Sequence, residues 1–163
     1  METRVASDID ERLLREAIDL ARDHMREGSG GPFGAVIARD GEVVARGWNA
    51  VTSELDPTAH AEVVAIRRAC AALRTFRLDG FTLYTSCEPC PMCLAAVYWA
   101  RIDRVVYGAG RADAAAIGFD DSRIYDEISL PRDARTMRMR QLLRAEAKLA
   151  MGEWVTKRDR IPY

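Results

Sequence analysis

Three of the four cysteines in this 163-residue chain fall within seven positions, at Cys87, Cys90 and Cys93; Cys70 is the fourth. Thiols this crowded serve metal or redox chemistry more readily than a disulfide framework, above all behind an acidic N-terminus with no signal-peptide pattern. Pro91 follows Cys90, and the run from Pro91 to Ala100 reads as a helix, because proline suits a first turn whose N–H would have no partner. Cys90 and Cys93 lie three apart across that helix start, so both sulfurs can point to one side. The unpaired N–H groups and the positive dipole end there lower thiol pKa and favour thiolates.

A second fragment, Thr58-Ala59-His60-Ala61-Glu62, supplies what two thiolates lack. Zinc takes mixed nitrogen and sulfur ligands in a tetrahedron. With His60, Cys90 and Cys93 as ligands, one corner stays open for water, the mark of a catalytic site. His60 and Glu62 are two apart, and residues at that spacing inside a helix face different ways. Both serve one centre only on an irregular first turn, which the Asp56-Pro57-Thr58 lead-in provides. Glu62 is then a base beside the metal and not a ligand. Alone, a His-x-Glu pair reads as a solvated helix face, and a Cys-x-x-Cys as a structural zinc knuckle or redox pair. Their conjunction, in this order and with a strand leading into each helix, is far more specific. Cys87 opens a rival: a closed Cys-Cys-Cys-His structural site. It precedes Pro89, outside the turn that aligns the other two sulfurs. Cys70, among Ala69, Ala71 and Leu73, reads as a small buried residue.

The length suits one compact domain, and 48% apolar with 30% charged residues is ordinary globular composition. A net charge of -1 gives no overall basic field for a polyanion. From Arg132 onward nine basic residues face four acidic ones, a local excess that reads as a solvated face and makes a nucleic-acid partner unlikely. No apolar run approaches the roughly 18 residues of a membrane span, and the expected setting is cytoplasmic. Asp8 with Glu11 reads as a capping box opening a helix whose apolar face is Ile9, Leu13, Ala17, Leu20, Ala21 and Met25. Phe33–Arg39 and Glu42–Trp48 read as strands joined by an Asp40-Gly41 hairpin turn, the first covered on both faces. A helix over His60–Leu73, strands over Phe81–Ser86 and Arg104–Tyr107, and helices over Ser122–Ile128 and Ala145–Trp154 follow. Met137, Met139 and Leu142 suggest a last strand. Alternating strands and helices around a hairpin predict a three-layer α/β/α domain with a mixed central sheet.

At these residues the chain resembles the cytidine-deaminase superfamily, and within it the guanine deaminases. The resemblance runs through Gly30-Gly31-Pro32-Phe33-Gly34-Ala35-Val36, Asp56 to Val63, and Tyr84-Thr85-Ser86-Cys87-Glu88-Pro89-Cys90-Pro91-Met92-Cys93-Leu94. It continues through Tyr98-Trp99-Ala100-Arg101, Gly118-Phe119-Asp120-Asp121-Ser122, Ile124-Tyr125 and the terminal Tyr163. The cysteine motif is common to the superfamily; the Gly118–Ser122 run and Tyr163 are the narrower signals. The resemblance implies a cytidine-deaminase-like fold, one zinc ion per subunit, and a homodimer in which the segment of about 132–163 crosses to the partner. It implies that Asn49 and Ala61 contact the purine, that Phe33 and Trp99 wall the ring, and that Tyr163 closes the pocket. Asp121 would meet the base near its exocyclic amine and assist proton movement. Without the resemblance, the same positions read as a strand end (Asn49), core (Phe33, Trp99), a helix cap (Asp121) and a frayed terminus (Tyr163).

The reaction so implied is zinc-dependent hydrolysis of guanine, a small-molecule nucleobase, to xanthine and ammonia, with Glu62 moving protons. A guanosine deaminase shares every zinc residue and the Gly-Phe-Asp-Asp run. A tRNA adenosine deaminase shares most motifs; the arginine-rich tail keeps it open, while the net charge and the Gly118–Ser122 run count against it. A zinc-stabilised binding module without activity is the rival outside enzymology, and Glu62 has no use there.

Overall fold

The computed structural model describes the chain from Glu2 onward, with side chains from Ser7. The chain divides into two compact units, one ending at Asp121 and the other spanning Ser122–Tyr163.

In the first unit, helix α1 (Glu2–Arg26) leads into strands β1 (Gly34–Arg39) and β2 (Glu42–Trp48), followed by α2 (Val51–Glu54) and α3 (Ala61–Leu73). Strand β3 (Thr82–Cys87), helix α4 (Pro91–Trp99), strand β4 (Arg104–Ala109) and helix α5 (Arg111–Ala116) complete it. The sheet order is β2-β1-β3-β4, with β1 antiparallel to both β2 and β3 and with β3 parallel to β4. The sheet is therefore mixed, as expected. Asp40 and Gly41 both have positive φ, 53° and 83°, the conformation that lets a two-residue turn follow the strands' twist.

Side-chain alternation sorts the strands between two helical layers. Leu13 and Ala17 of α1 pack on Val36, Ala38 and Tyr84 on one face. On the other, Ala61, Ala65 and Ala69 of α3 and Val97 of α4 pack on Ala35, Ile37, Ala45 and Leu83. β1 is buried from Gly34 to Ala38, as a strand covered on both sides must be. The α3 layer sits close because β2 offers no side chain at Gly47: a Cβ there would overlap the Ala61 carbonyl oxygen and the Ala65 nitrogen. That approach sets the start of α3 against the sheet.

The second unit holds α6 (Ser122–Ser129), a 3₁₀ turn (Arg132–Ala134) and α7 (Arg144–Thr156), and none of its residues is buried. Among the described residues no helix is long and apolar enough to cross a membrane.

Two expectations are corrected. α1 begins before Asp8, which lies inside the helix and caps nothing. Residues 138–143 form no strand, because the alternating apolar positions meet no sheet edge to pair with. The helices α2 and α5, absent from the sequence reading, are too short to show periodicity.

Candidate active site

Two helix starts meet below the carboxyl end of β3. His60 is the N-cap of α3, with extended backbone (φ -69°, ψ 153°), so its ring leaves the helix while Glu62 enters the first turn. The lead-in is shaped locally: the Asp56 carboxylate accepts from the Thr58 N–H at 2.8 Å and the Thr58 hydroxyl at 2.7 Å, and Arg67 of α3 closes on it at 3.2 Å. The Thr58 hydroxyl, first among these contacts, holds the Asp56 carboxyl below its ordinary range. The Ala50 N–H donates to the Ala59 carbonyl at 2.9 Å, tying this lead-in to the end of β2.

Cys90 is the N-cap of α4 and Cys93 lies in its first turn, with Pro91 at the first helical position. The donor atoms of His60, Cys90 and Cys93 all lie within 4.8 Å of one another. His60 Nδ1 stands 3.6 Å from Cys90 Sγ and 3.5 Å from Cys93 Sγ. Zinc bonded to sulfur at about 2.3 Å and nitrogen at about 2.0 Å in a tetrahedron sets those edges near 3.6 Å. The donor set fits zinc in type and spacing, through Nδ1. Cys87 stays outside it: its Sγ faces the Gly110 carbonyl at 3.8 Å, which removes the closed four-ligand site.

The electrostatics suit a cation. Cys90 is drawn down to about 4, first by the hydrogen bond from Cys93, with burial opposing and His60 and the Cys93 N–H assisting. Cys93 is pushed up, first by that same bond and then by burial. His60 is raised, first by Cys90, with burial opposing.

Glu62 is buried at 6% exposure, and burial is the first cause raising its carboxyl above the ordinary range. Its Oε1 accepts from Thr85 Oγ1 at 3.2 Å, and it lies within hydrogen-bond reach of Cys93. A carboxyl kept out of water beside two thiols and an imidazole holds its proton more readily than an exposed one, as a group that must take and return a proton requires. Thr85 escaped the sequence reading, yet its signal is there. On β3 it shares parity with Leu83 and Cys87, so a hydroxyl at that inward position demands a partner.

The remaining positions divide. Ala61 is fully buried at the first residue of α3. Asn49 is buried, and its Oδ1 accepts from the Gly31 N–H at 3.1 Å and the Val51 N–H at 3.3 Å. Phe33 is half-buried, with Phe119 edge-on at 4.9 Å between centroids. Asp121 pairs with Arg111, Nε to Oδ1 at 3.6 Å. Trp99 sits at the far end of α4 from the two sulfurs and is 63% exposed. Tyr163 ends the second unit, 75% exposed. Phe119, Arg111 and Glu88 had no role in the sequence reading.

Comparison with known proteins agrees with this geometry. A guanine deaminase of Bacillus subtilis is 52% identical over 144 residues, spanning 88% of this chain and 92% of that protein. A tRNA-specific adenosine deaminase of Haemophilus influenzae is 39% identical over 74% of this chain and 73% of its own length. The crystal structure of a B. subtilis guanine deaminase superposes with a TM-score of 0.91 at 50% identity, covering 94% of this chain and 98% of that one. A guanine deaminase structure from Nitrosomonas europaea reaches 0.64 at 36% identity, over 67% of this chain and 63% of its own. Residues 7–109 match the family described as the cytidine and deoxycytidylate deaminase zinc-binding region. The chain belongs to that family, and the candidate metal-binding cluster of His60, Cys90 and Cys93 lies wholly within the matched residues.

Proposed function

We propose that this chain is a zinc-dependent guanine deaminase, hydrolysing the exocyclic amine of guanine to give xanthine and ammonia. The observation that carries the chemistry is the buried, non-ligating Glu62 beside a three-donor cluster of His60, Cys90 and Cys93. Guanine is favoured because the likeness to a guanine deaminase covers 88% of the chain, well beyond the shared family region.

A zinc ion held by these three residues, one per subunit, would bring the pKa of a coordinated water toward about 7. Glu62 accepts a proton from the water and delivers it to a ring nitrogen, which makes the adjacent carbon electrophilic. The hydroxide left by that transfer adds at the carbon; Glu62 then takes the proton of the new hydroxyl and, with Asp121, passes it to the amine, so that the C–N bond breaks to release ammonia as the carbonyl forms. Asn49 donates through its NH₂ group to a purine acceptor, with its oxygen already held by backbone N–H groups. Phe33 supplies an apolar wall, Ala61 leaves room beside the ligands, and Trp99 and Tyr163 complete the pocket.

The assembly read from this chain is a homodimer of one functional domain per chain, in which residues 132–163 cross to the partner and Tyr163 closes the partner's pocket. Its support is physical: Leu149, Met151 and Val155 of α7 are each more than 60% exposed. Apolar side chains left open on more than one side of a helix call for a cover. A cytoplasmic setting accords with four unbridged cysteines, two of them needed as thiolates.

The test is ammonia release from a panel of guanine, guanosine, adenine, cytosine and a tRNA anticodon stem-loop. Guanine turnover well above all others is the expected outcome. Preference for guanosine would widen the pocket to a ribose; preference for the stem-loop would replace this reading.

A further inference from the structure

We propose that Arg111 is the positioning residue for Asp121, and that Glu88 of the cysteine loop positions Arg111 in turn. This rests on the reading of Asp121 as a residue that meets the base amine.

The connection begins where the sheet ends. The parallel ladder pairs Cys87 with Ala109, and the Glu88 N–H then donates to the Ala109 carbonyl at 2.8 Å. The loop carrying Cys90 is thereby fastened beside the start of α5. Glu88 Oε2 accepts from the Arg111 N–H at 3.2 Å, while Asp113 accepts from the Gly110 N–H at 2.8 Å. Two carboxylates at a first turn satisfy N–H groups that the helix cannot. The residue two before a metal ligand thus sets where Arg111 leaves the backbone.

After α5 the chain doubles back. Gly118 has φ +95°, its N–H donates to Ala115 at 3.0 Å, and the Phe119 N–H donates to Ala114 at 3.0 Å. The Phe119 ring stands edge-on to Phe33, which anchors this return beside the Asn49 end of the site. Asp121, two residues on, then meets Arg111 at 3.6 Å, with the two side chains 20% and 40% exposed.

A pair this open adds about 0–1 kcal/mol to folding at most. Its larger consequence is orientation. A carboxylate on a short stem can turn either oxygen toward the base, and a guanidinium whose backbone Glu88 holds at the start of α5 biases it toward one rotamer by its charge. Small displacements matter for proton transfer, where about 1 Å of misplacement can lower a rate about 100-fold.

The experiment measures kcat and KM for guanine with R111M, R111K, D121N and the double variant R111M/D121N. Far-UV circular dichroism and zinc per chain are followed in each. R111M is expected to lower kcat about tenfold or more while KM changes less, and R111K to recover part of the loss. Because Arg111 acts through Asp121, R111M should add nothing on top of D121N. Multiplying losses in the double variant, or an unchanged R111M, would overturn the positioning role. Normal turnover by D121N would instead remove Asp121 from the mechanism, which is a separate failure. Should R111M lose its fold, R111Q alone and on D121N carries the same comparison.

Discussion

The two units of this chain are built on opposite terms. Up to Asp121 the apolar residues are buried on both faces of a sheet, and polar contacts join distant positions: Asp10 reaches Arg104 and Tyr84, and Glu62 reaches Thr85. From Ser122 onward no residue is buried, and the side-chain bonds are local, such as Arg123 to Thr136 and Arg135 to the Leu130 carbonyl. The first unit has its own core and holds the catalytic cluster. The second keeps regular helices with apolar side chains exposed, among them Leu149, Met151 and Val155, as the proposed crossing of the tail to a partner requires. On the reading of Tyr163 as a lid, the contrast separates catalysis from closure, and each can be disturbed alone.

The largest effect should come from Glu62→Gln. The ligands are untouched and zinc stays bound, but the proton has no carrier, and kcat should fall about 1,000-fold. Zinc analysis beside steady-state kinetics checks it; normal turnover with full zinc would take Glu62 out of the reaction. Deleting Tyr163 should be milder, roughly tenfold in kcat/KM with an unchanged melting temperature, since an exposed terminal residue holds no core. Co-expressing the two damaged chains sharpens the comparison. If the tail crosses over, the mixed dimer regains one intact site, because Glu62 and Tyr163 then come from different chains. Activity no higher than the sum of the parents would confine each site to one chain.

What the sequence revealed follows the same division. His60, Glu62, Cys90 and Cys93 were legible because helix starts impose local rules on side-chain direction, and those rules need no knowledge of the rest of the fold. The Asp40-Gly41 turn was legible for a similar reason. Asp8 misled because a capping box is also an ordinary i,i+3 pair inside a longer helix. Arg111 and Glu88 were invisible because their meaning depends on β3 and β4 lying side by side. The Met137–Leu142 alternation looked like a strand, but a strand is a relation between two segments, and here the second is missing.

Glycine substitution probes the same contrast at smaller scale. Gly47→Ala forces a methyl into the Ala61 carbonyl and the Ala65 nitrogen, neither of which can turn away, and should lower stability by about 3 kcal/mol. Gly152→Ala in α7 meets nothing within 4 Å and should be neutral or stabilising by about 1 kcal/mol. Chemical denaturation gives both numbers. A destabilising Gly152→Ala would reveal a close cover over that helix face, and would map where the partner lies.

The smallest effect concerns the polar clasp between the ends of the first unit. Asp10 of α1 accepts from both Arg104 nitrogens, at 2.7 and 2.8 Å, and from the Tyr84 hydroxyl at 2.8 Å. Arg104 is the first cause holding the Asp10 carboxyl below its ordinary 3.8, with burial opposing, while burial and Asp10 together push Tyr84 up to about 12. A depressed folded pKa means the unfolded chain binds the proton more tightly. The clasp therefore contributes fully above about pH 4 and is lost as pH falls through the folded value. Asp10→Asn should lower stability by about 1 kcal/mol at pH 7, given the partial exposure of both partners. The gap between the two proteins should close only as pH falls through the depressed folded value, below which the natural carboxyl is also neutral. A gap that persists unchanged into acid would mean that Asp10 acts through packing on Tyr84 and not through its charge.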